Sequence, residues 1–237
     1  MVLLVDADSL IFSSCYKKRE TPEDSPYHDD IKEVTGKFDE VFMKIINDLE
    51  ELYPIDEVKV FNGSLGNFRK LITPKYKANR THTPKPPLLN EMHKWVKENY
   101  DSIYGHGIET DDIVARYWFE LSNEIGRDNV MIVSIDKDYK QFPCLMYNYH
   151  AKHKCVYDIT EEEAIYNFYE QMIVGDVADN VNYCKGYGKK YAEKYLEDCK
   201  TQYQYTKKMY NLFKEIHKGK AKQRYIECYN LLKLRTQ

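Results

Sequence analysis

The sequence predicts an α/β fold, a parallel-rich central sheet flanked by helices, with acidic groups gathered along one edge of the sheet. Three observations predict it. The opening run VLLV is short, wholly apolar and stops at Asp6, the pattern of a fully buried strand with a carboxylate at its C-terminal end. Apolar positions at helical spacing (Val34, Phe38, Val41, Ile45, Leu49, Leu52) lead to a second buried run, EVKVF at 57–61, which makes a β-α-β unit. NVMIVSID at 129–136 is a third such run, and it too ends in carboxylates.

The helical spacing predicts a helix from about residue 30 to 52, before the strand at 57–61. Residues 62–87 are rich in Gly, Asn, Thr, Pro and Lys, so an irregular, solvent-facing segment is expected, followed by a short helix at about 88–99. Glu109 to Ser122 reads as a helix start and an amphipathic helix. After the strand at 129–136, alternation over 145–157 predicts a hairpin. Thr160 with Glu163 forms a capping box for a helix running to about Ile173. Everything beyond reads as helical, apart from a glycine turn at 186–188. The expected division is 1–158 for the α/β part and 159–237 for a helical part.

Composition narrows the function classes. With 237 residues and 43% hydrophobic content the chain can bury a real core. No stretch approaches the roughly 18 apolar residues of a membrane span, and Asp6 and Asp8 come too soon for a signal peptide. A cytoplasmic, soluble monomer without a membrane partner is expected. The six cysteines contain no CxxC pair, the usage of a reduced compartment, so free thiols are expected. Cys144, His150, His153 and Cys155 are zinc-type ligands, but their spacing matches no common zinc pattern.

Net charge is only −3, yet it is segregated. Between Val58 and Asn90 there are seven Lys or Arg and no Asp or Glu. From Lys200 onward ten Lys or Arg face only Glu215 and Glu227. The rest is strongly acidic, which suits a protein holding a polyanion in basic regions and metal ions in an acidic one.

The acids recur at element ends: Asp6 after the first strand, Glu109, Asp111 and Asp112 at a helix start, Asp136 and Asp138 after a later strand, Asp176 and Asp179 in the C-terminal third. Strand C-termini of an open α/β sheet converge on one edge, so these carboxylates can share a cleft. Packed like charges repel unless cations neutralise them, and hard oxygen ligands favour Mg²⁺ or Mn²⁺. Each acid alone has an ordinary reading, as a helix first-turn or turn residue. Spacing alone leaves phosphatases and other metal hydrolases open.

VDADSLIF, FRKLITPKYKANR, GIETDD, VSIDKDYKQF and GDVADNVNYCKGYGKKYAEKYL resemble, in that order, the motifs of the 5′-nuclease or flap endonuclease family over about residues 2–198. The family includes phage 5′-3′ exonucleases and the 5′-nuclease domain of bacterial DNA polymerase I; the compact chain is most similar to the phage proteins. The resemblance implies a PIN-like sheet, a basic arch at about 74–105 and a helix-turn-helix at about 176–198. It implies Mg²⁺ ligation, with Mn²⁺ as substitute, by Asp6, Glu109, Asp111, Asp112, Asp136, Asp138, Asp176 and Asp179. Lys77 and Arg80 would approach the scissile phosphate, and Tyr76 could stack on a terminal base. Lys185, Gly186, Gly188, Lys189 and Lys190 would grip the duplex backbone, Tyr187 having a weaker claim, and K⁺ can sit at such a turn. Where some relatives carry Asp after the second strand, this chain has Asn62, which implies a weaker metal site or reliance on Asp8.

The expected activity is metal-dependent hydrolysis of DNA from a 5′ end or 5′ flap, in replication or repair, with RNA–DNA hybrids as further substrates. In a phage the host cytoplasm would be the setting. Two alternatives stand beside it. A PIN-type ribonuclease shares the acidic edge but is usually shorter and lacks the glycine-turn motif. A non-catalytic DNA-binding scaffold is favoured only by Asn62.

Overall fold

The computed structural model describes residues 1–82 and 84–236. Thr83, inside the expected arch, and Gln237 lie outside the described residues. The elements in order are β1 (Val2–Asp6), α1 (Asp8–Ser14), α2 (Ile31–Glu50), β2 (Glu57–Leu65), α3 (Arg69–Ile72), α4 (Leu89–Asn99), β3 (Ile103–His106) and α5 (Thr110–Ile125). Then come β4 (Val130–Val133), β5 (Leu145–Asn148), β6 (Cys155–Asp158), α6 (Glu161–Val174), α7 (Lys189–Leu196), α8 (Gln202–His217) and α9 (Ala221–Leu232).

Among the described residues the strands form a sheet of six in the order β3-β2-β1-β4-β5-β6, parallel except for β6, which runs antiparallel to β5. The chain moves from β1 outward to β2 and β3, then returns to β4 on the other side of β1. That reversal opens a crevice beyond the C-terminal ends of β1 and β4, where open α/β sheets bind their ligands. Val5 lies opposite Val60 and Val133, so Asp6 emerges at this crevice.

Alternation along the strands divides the core. Leu3, Val5, Met131 and Val133 pack under α1, α2 and α4, while Val2, Leu4, Val130 and Ile132 pack under α5. A third core joins Phe168, Tyr169, Met172 and Ile173 of α6 to α7, α8 and α9. Helix α6 also sends Ala164 to the sheet-side core, so it ties the two regions together.

The expected helices, strands and hairpin are present, and the Thr160–Glu163 capping box forms as read. Three features differ from the sequence reading. Within the span expected as an arch, α4 buries Met92 and Val96 in the core, and β3 joins the sheet beside β2. Strand β3 was invisible because IYGH is too short and broken by Gly105 to carry a period. Helix α1 was also missed; it is a seven-residue turn into the sheet's edge.

The third difference concerns residues 176–185, which were expected to be helical. Gly175 ends α6 with φ +79, and a Cβ there would meet the Val181 carbonyl oxygen at 2.3 Å. Asp176 and Val181 exchange backbone hydrogen bonds of 2.7 and 2.8 Å, closing a tight loop. Asn180 and Gly186 also have positive φ, and helix resumes only at Lys189. Residues 176–198, expected as the helix-turn-helix, are thus an irregular link followed by α7, with α6 ending just before them.

Candidate active site

Four segments bring carboxylates to the crevice. Asp6 is 5% exposed, and its Oδ2 accepts from the Tyr139 hydroxyl at 2.8 Å. Asp8 opens α1, where it accepts from Gly63 N and Thr110 Oγ1, each at 2.7 Å. Beyond β4, Asp136 caps a 3₁₀ turn by accepting from Asp138 N at 2.9 Å, and Gln171 of α6 donates to Asp138 Oδ1 at 2.8 Å.

The N-terminus of α5 supplies the next pair. Glu109 is the N-cap and forms a reciprocal capping box with Asp112, the arrangement that satisfies free N–H groups at a helix start. The closed loop after α6 supplies the last pair: Asp179 N donates to Asp176 Oδ1 at 3.1 Å, inside the Asp176–Val181 bridge.

A basic segment lies against that loop. Lys77 N donates to Asp179 O at 2.9 Å, Asn79 Nδ2 to Val177 O at 2.8 Å, and Arg80 Nε to Ala178 O at 3.1 Å. Lys77 pairs with Glu109 and stands 3.6 Å from Asp179, while Arg80 reaches Asp179 at 2.7 Å. Lys137 pairs with Asp176 at 2.9 Å.

Together these groups line a cleft of about 480 Å³. Eight carboxylates (Asp6, Asp8, Glu109, Asp111, Asp136, Asp138, Asp176, Asp179) face three cations (Lys77, Arg80, Lys137). The imbalance shows in their protonation. Burial, with Asp8 beside it, pushes Asp6 up to about 7. Burial and the neighbouring Asp136 push Asp138 up to about 8. Burial also raises Asp136, and burial with Glu109 holds Asp111 well above the usual range. Glu109 and Asp176 go the other way: burial would raise them, but Lys77 and Lys137 respectively carry them below it.

This donor set fits hard divalent cations. Its ligands are carboxylate oxygens, and their repulsion is only partly offset by side chains. The buried Tyr149 hydroxyl, in the field of Asp6, Asp8 and Asp136, has no hydrogen-bond partner among the described residues. No three His, Cys, Asp or Glu side chains among the described residues are gathered closely enough to cage an ion by themselves. Lys77 stands between Glu109 and Asp179, while Arg80 pairs with Asp179 and Lys137 with Asp176.

The sequence comparison decides the family. A model described as the 5′-3′ exonuclease N-terminal resolvase-like domain matches residues 1–170. The chain belongs to the 5′-3′ exonuclease family.

Its relatives include the flap endonuclease Xni of Aliivibrio salmonicida, 30% identical over 164 residues that make up 65% of this chain and 58% of the relative. DNA polymerase I of Borreliella burgdorferi is 26% identical over 215 residues, which are 84% of this chain and 22% of that protein. The chain thus spans 58% of the length of that Xni relative. Among solved structures, the bacteriophage T5 D15 flap endonuclease, determined with DNA and metal ions, superposes with a TM-score of 0.60 at 14% identity, covering 98% of each chain. That likeness supports the PIN-like fold of the 5′-nucleases.

Of the residues singled out from the 5′-nuclease motifs, Asp6, Glu109, Asp111, Asp136, Asp138, Asp176 and Asp179 share the cleft with Lys77 and Arg80. Asp112 does not. It is fully buried, and its two oxygens accept from Arg69 Nη1 and Nη2 at 2.6 and 2.8 Å and from Arg235 N at 2.9 Å. Helical spacing explains why: one residue beyond Asp111 the side chain turns about 100° around the helix axis, away from the crevice.

Tyr76 is a second correction. It is 2% exposed, and its hydroxyl meets Glu109 Oε2 at 2.7 Å and Asp179 Oδ2 at 2.6 Å, so its ring has no free face for a base. Asn62 is a third. It is fully buried and its amide turns to α4, donating to His93 O at 2.7 Å and meeting the His93 ring. The backbone beside it serves the cleft through Gly63 N and Asp8.

Lys185, Gly186, Gly188, Lys189 and Lys190 are exposed around the start of α7, away from the cleft lining. Cys144 is buried and Cys155 exposed, with both free, and the His150 and His153 rings lie 5.6 Å apart in the β5–β6 turn. Sequence reading missed Arg69, Lys137 and Tyr139 as contributors. Arg69 stood unnoticed among seven basic residues whose partners are distant in sequence. No helix among the described residues is long and apolar enough to cross a membrane.

Proposed function

We propose that the chain is a Mg²⁺-dependent 5′-nuclease, Mn²⁺ substituting, that hydrolyses phosphodiester bonds of DNA near a free or flapped 5′ end. The observation that carries this reading is the meeting of eight carboxylates with Lys77 and Arg80 at the sheet's switch point. Membership of the 5′-3′ exonuclease family supports it. Asp6, Glu109, Asp111, Asp136, Asp138, Asp176 and Asp179 would hold the metal, with Asp8 joining from α1. When bound, divalent ions supply a water of lowered pKa and offset charge on the phosphate oxygens.

The chain's own residues do the rest. Lys77 and Arg80 exchange their carboxylate partners for the phosphate and stabilise charge that develops on it. The loop carrying Asp176 and Asp179 is pinned to Lys77, Asn79 and Arg80, so phosphate and ligands are held in one frame. Lys185, Lys189, Lys190 and the backbone at Gly186 and Gly188 hold the duplex through phosphates, independent of base identity. A monovalent cation such as K⁺ at that turn belongs to the same reading.

The test is cleavage of a 5′-labelled flap by wild type and Asp136→Asn, with Mg²⁺ or with EDTA. Cutting at the flap junction, or stepwise release from the 5′ end, that needs Mg²⁺ and is lost in the variant is the expected result. DNA binding without cutting under every metal condition would replace this reading by the non-catalytic scaffold.

A further inference from the structure

Among the described residues Arg69 is the only arginine in the set of largest fully buried side chains, 1% exposed, and all five of its N–H groups are used. Nε donates to Leu231 O at 3.0 Å, and Nη2 to Asp112 Oδ1 at 2.8 Å and Lys233 O at 3.1 Å. Nη1 donates to Asp112 Oδ2 at 2.6 Å and Glu109 Oε2 at 3.0 Å. The guanidinium therefore joins the start of α5 to a segment more than 160 positions away.

That segment is held independently. Leu234 is 3% exposed within the sheet-side core, and Gln141 brackets it by donating to Leu232 O at 2.8 Å and accepting from Leu234 N at 3.3 Å. Arg235 N donates to Asp112, and the Arg235 guanidinium lies 3.8 Å above the Phe68 ring, next to Arg69 in the chain.

A buried ion pair is an expensive way to fill space; apolar side chains of similar volume do it as well or better. What an apolar residue could not do is hold Glu109. Its Oε2 lies in the cleft and accepts from Arg69, and Asp111 follows two positions later on the same helix turn.

We infer that Arg69 is a positioning residue for the metal site, with Leu231–Arg235 as its strap: together they fix where Glu109 and Asp111 stand and so how tightly a divalent cation is held. This rests on the metal-dependent reading above. The strap continues from α9, so the helical region and the metal site are joined by one hydrogen-bonded element. Lysine at position 69 would keep the charge but could not span two carboxylates and two carbonyls.

Two variants test this, Arg69→Lys and Leu234→Ala, the second loosening the strap without touching Arg69. Two readouts are taken: the Mg²⁺ concentration for half-maximal flap cleavage, and the rise in Tm on adding Mg²⁺ without DNA. Arg69→Lys is expected to raise the half-maximal concentration by about tenfold, the usual cost of losing an outer-shell partner, with KM for DNA little changed. Its Mg²⁺-induced rise in Tm should be at most half that of wild type, and Leu234→Ala should move both readouts the same way by less. Lower Tm in both variants with both Mg²⁺ readouts at wild-type values would overturn the inference and leave the nuclease reading standing. A wild type stabilised by Mg²⁺ but unable to cut DNA would sink the nuclease reading instead, and the strap would then be judged on the Tm rise alone.

Discussion

The Tyr76 hydroxyl reaches Asp179 Oδ2 at 2.6 Å while its ring is enclosed by the helical core. Glu109 stands equally close, so one hydroxyl hydrogen serves two carboxylates from different parts of the chain. Tyr76 is thus a strut between the α5 N-terminus and the loop after α6. Burial, reinforced by those two charges, raises its pKa far above the tyrosine range, so it remains a donor at any working pH.

Tyr76→Phe separates this strut from a base-stacking role. Losing a buried hydrogen bond to charged acceptors is expected to lower stability by about 1.5–3 kcal/mol. Affinity for flap DNA in a non-cleaving buffer should be unchanged. Phenylalanine stacks as well as tyrosine, so stability is the readout that decides, and a variant of wild-type stability would show that the hydroxyl is not a strut.

Asp111 and Asp112 are adjacent but should respond oppositely. Asp112→Asn removes the carboxylate that takes two of the buried Arg69 N–H groups and leaves Glu109 as its one remaining ion-pair partner among the described residues, at an expected cost of up to about 3–5 kcal/mol. Asp111→Asn removes a carboxylate that burial and Glu109 already disfavour as an anion, so metal-free Tm should rise while Mg²⁺-dependent cutting is lost. Thermal melts of both variants in EDTA decide it; equal destabilisation would show that Asp111 is held as a structural group.

The raised carboxylates set a pH dependence. Asp6 near 7 and Asp138 near 8 hold protons in the folded chain that the unfolded chain, near 3.8, has released. Their contribution to stability is fully present below the unfolded value and is lost as pH rises through the folded values. Metal-free protein should therefore melt at lower temperature at about pH 8.5 than at about pH 6. Mg²⁺ competes with those protons, so its stabilising effect should be larger at the higher pH. A Mg²⁺-induced shift independent of pH would contradict the shifts at Asp6 and Asp138.

Asn62 was read from sequence as a weakened ligand position, and the structure reassigns it to the α4 contact. Asn62→Asp places a charge where the amide donates to His93 O. Stability should fall, and the Mg²⁺ concentration for half-maximal cleavage should stay within about twofold, since the residue is not among those lining the cleft. A clear drop in that concentration would put Asn62 back at the metal site.

Much of this was legible in the sequence because it follows from one-dimensional signals. VLLV, EVKVF and NVMIV are apolar runs that end in polar groups, so they announce buried parallel strands and the edge where Asp6 and Asp136 emerge. The partnership of Arg69 with Leu231 and Lys233 leaves no such trace, because backbone carbonyls carry no side-chain identity. Asp112 and Tyr76 were misplaced for a related reason: a motif names residue types, whereas a helix's rotation and the closeness of another loop decide which way each points. The loop at 176–181 defeated the helical reading because its bridge depends on Gly175, whose positive φ is not visible in spacing.

The strap also orders events in time. Chains emerge from the ribosome from the N-terminus, and domains tend to fold as they appear. Arg69 is made early, but its partners at Leu231 and Lys233 come more than 160 residues later. Until they arrive, the sheet can assemble while the Arg69 guanidinium has only Asp112 and Glu109 as acceptors and is not yet tied to the last segment of the chain. A chain stopped before residue 231 is accordingly expected to form the sheet without metal-dependent cutting. On the proposed nuclease reading, the cleft would gain its cutting activity only once the last residues of the strap are in place.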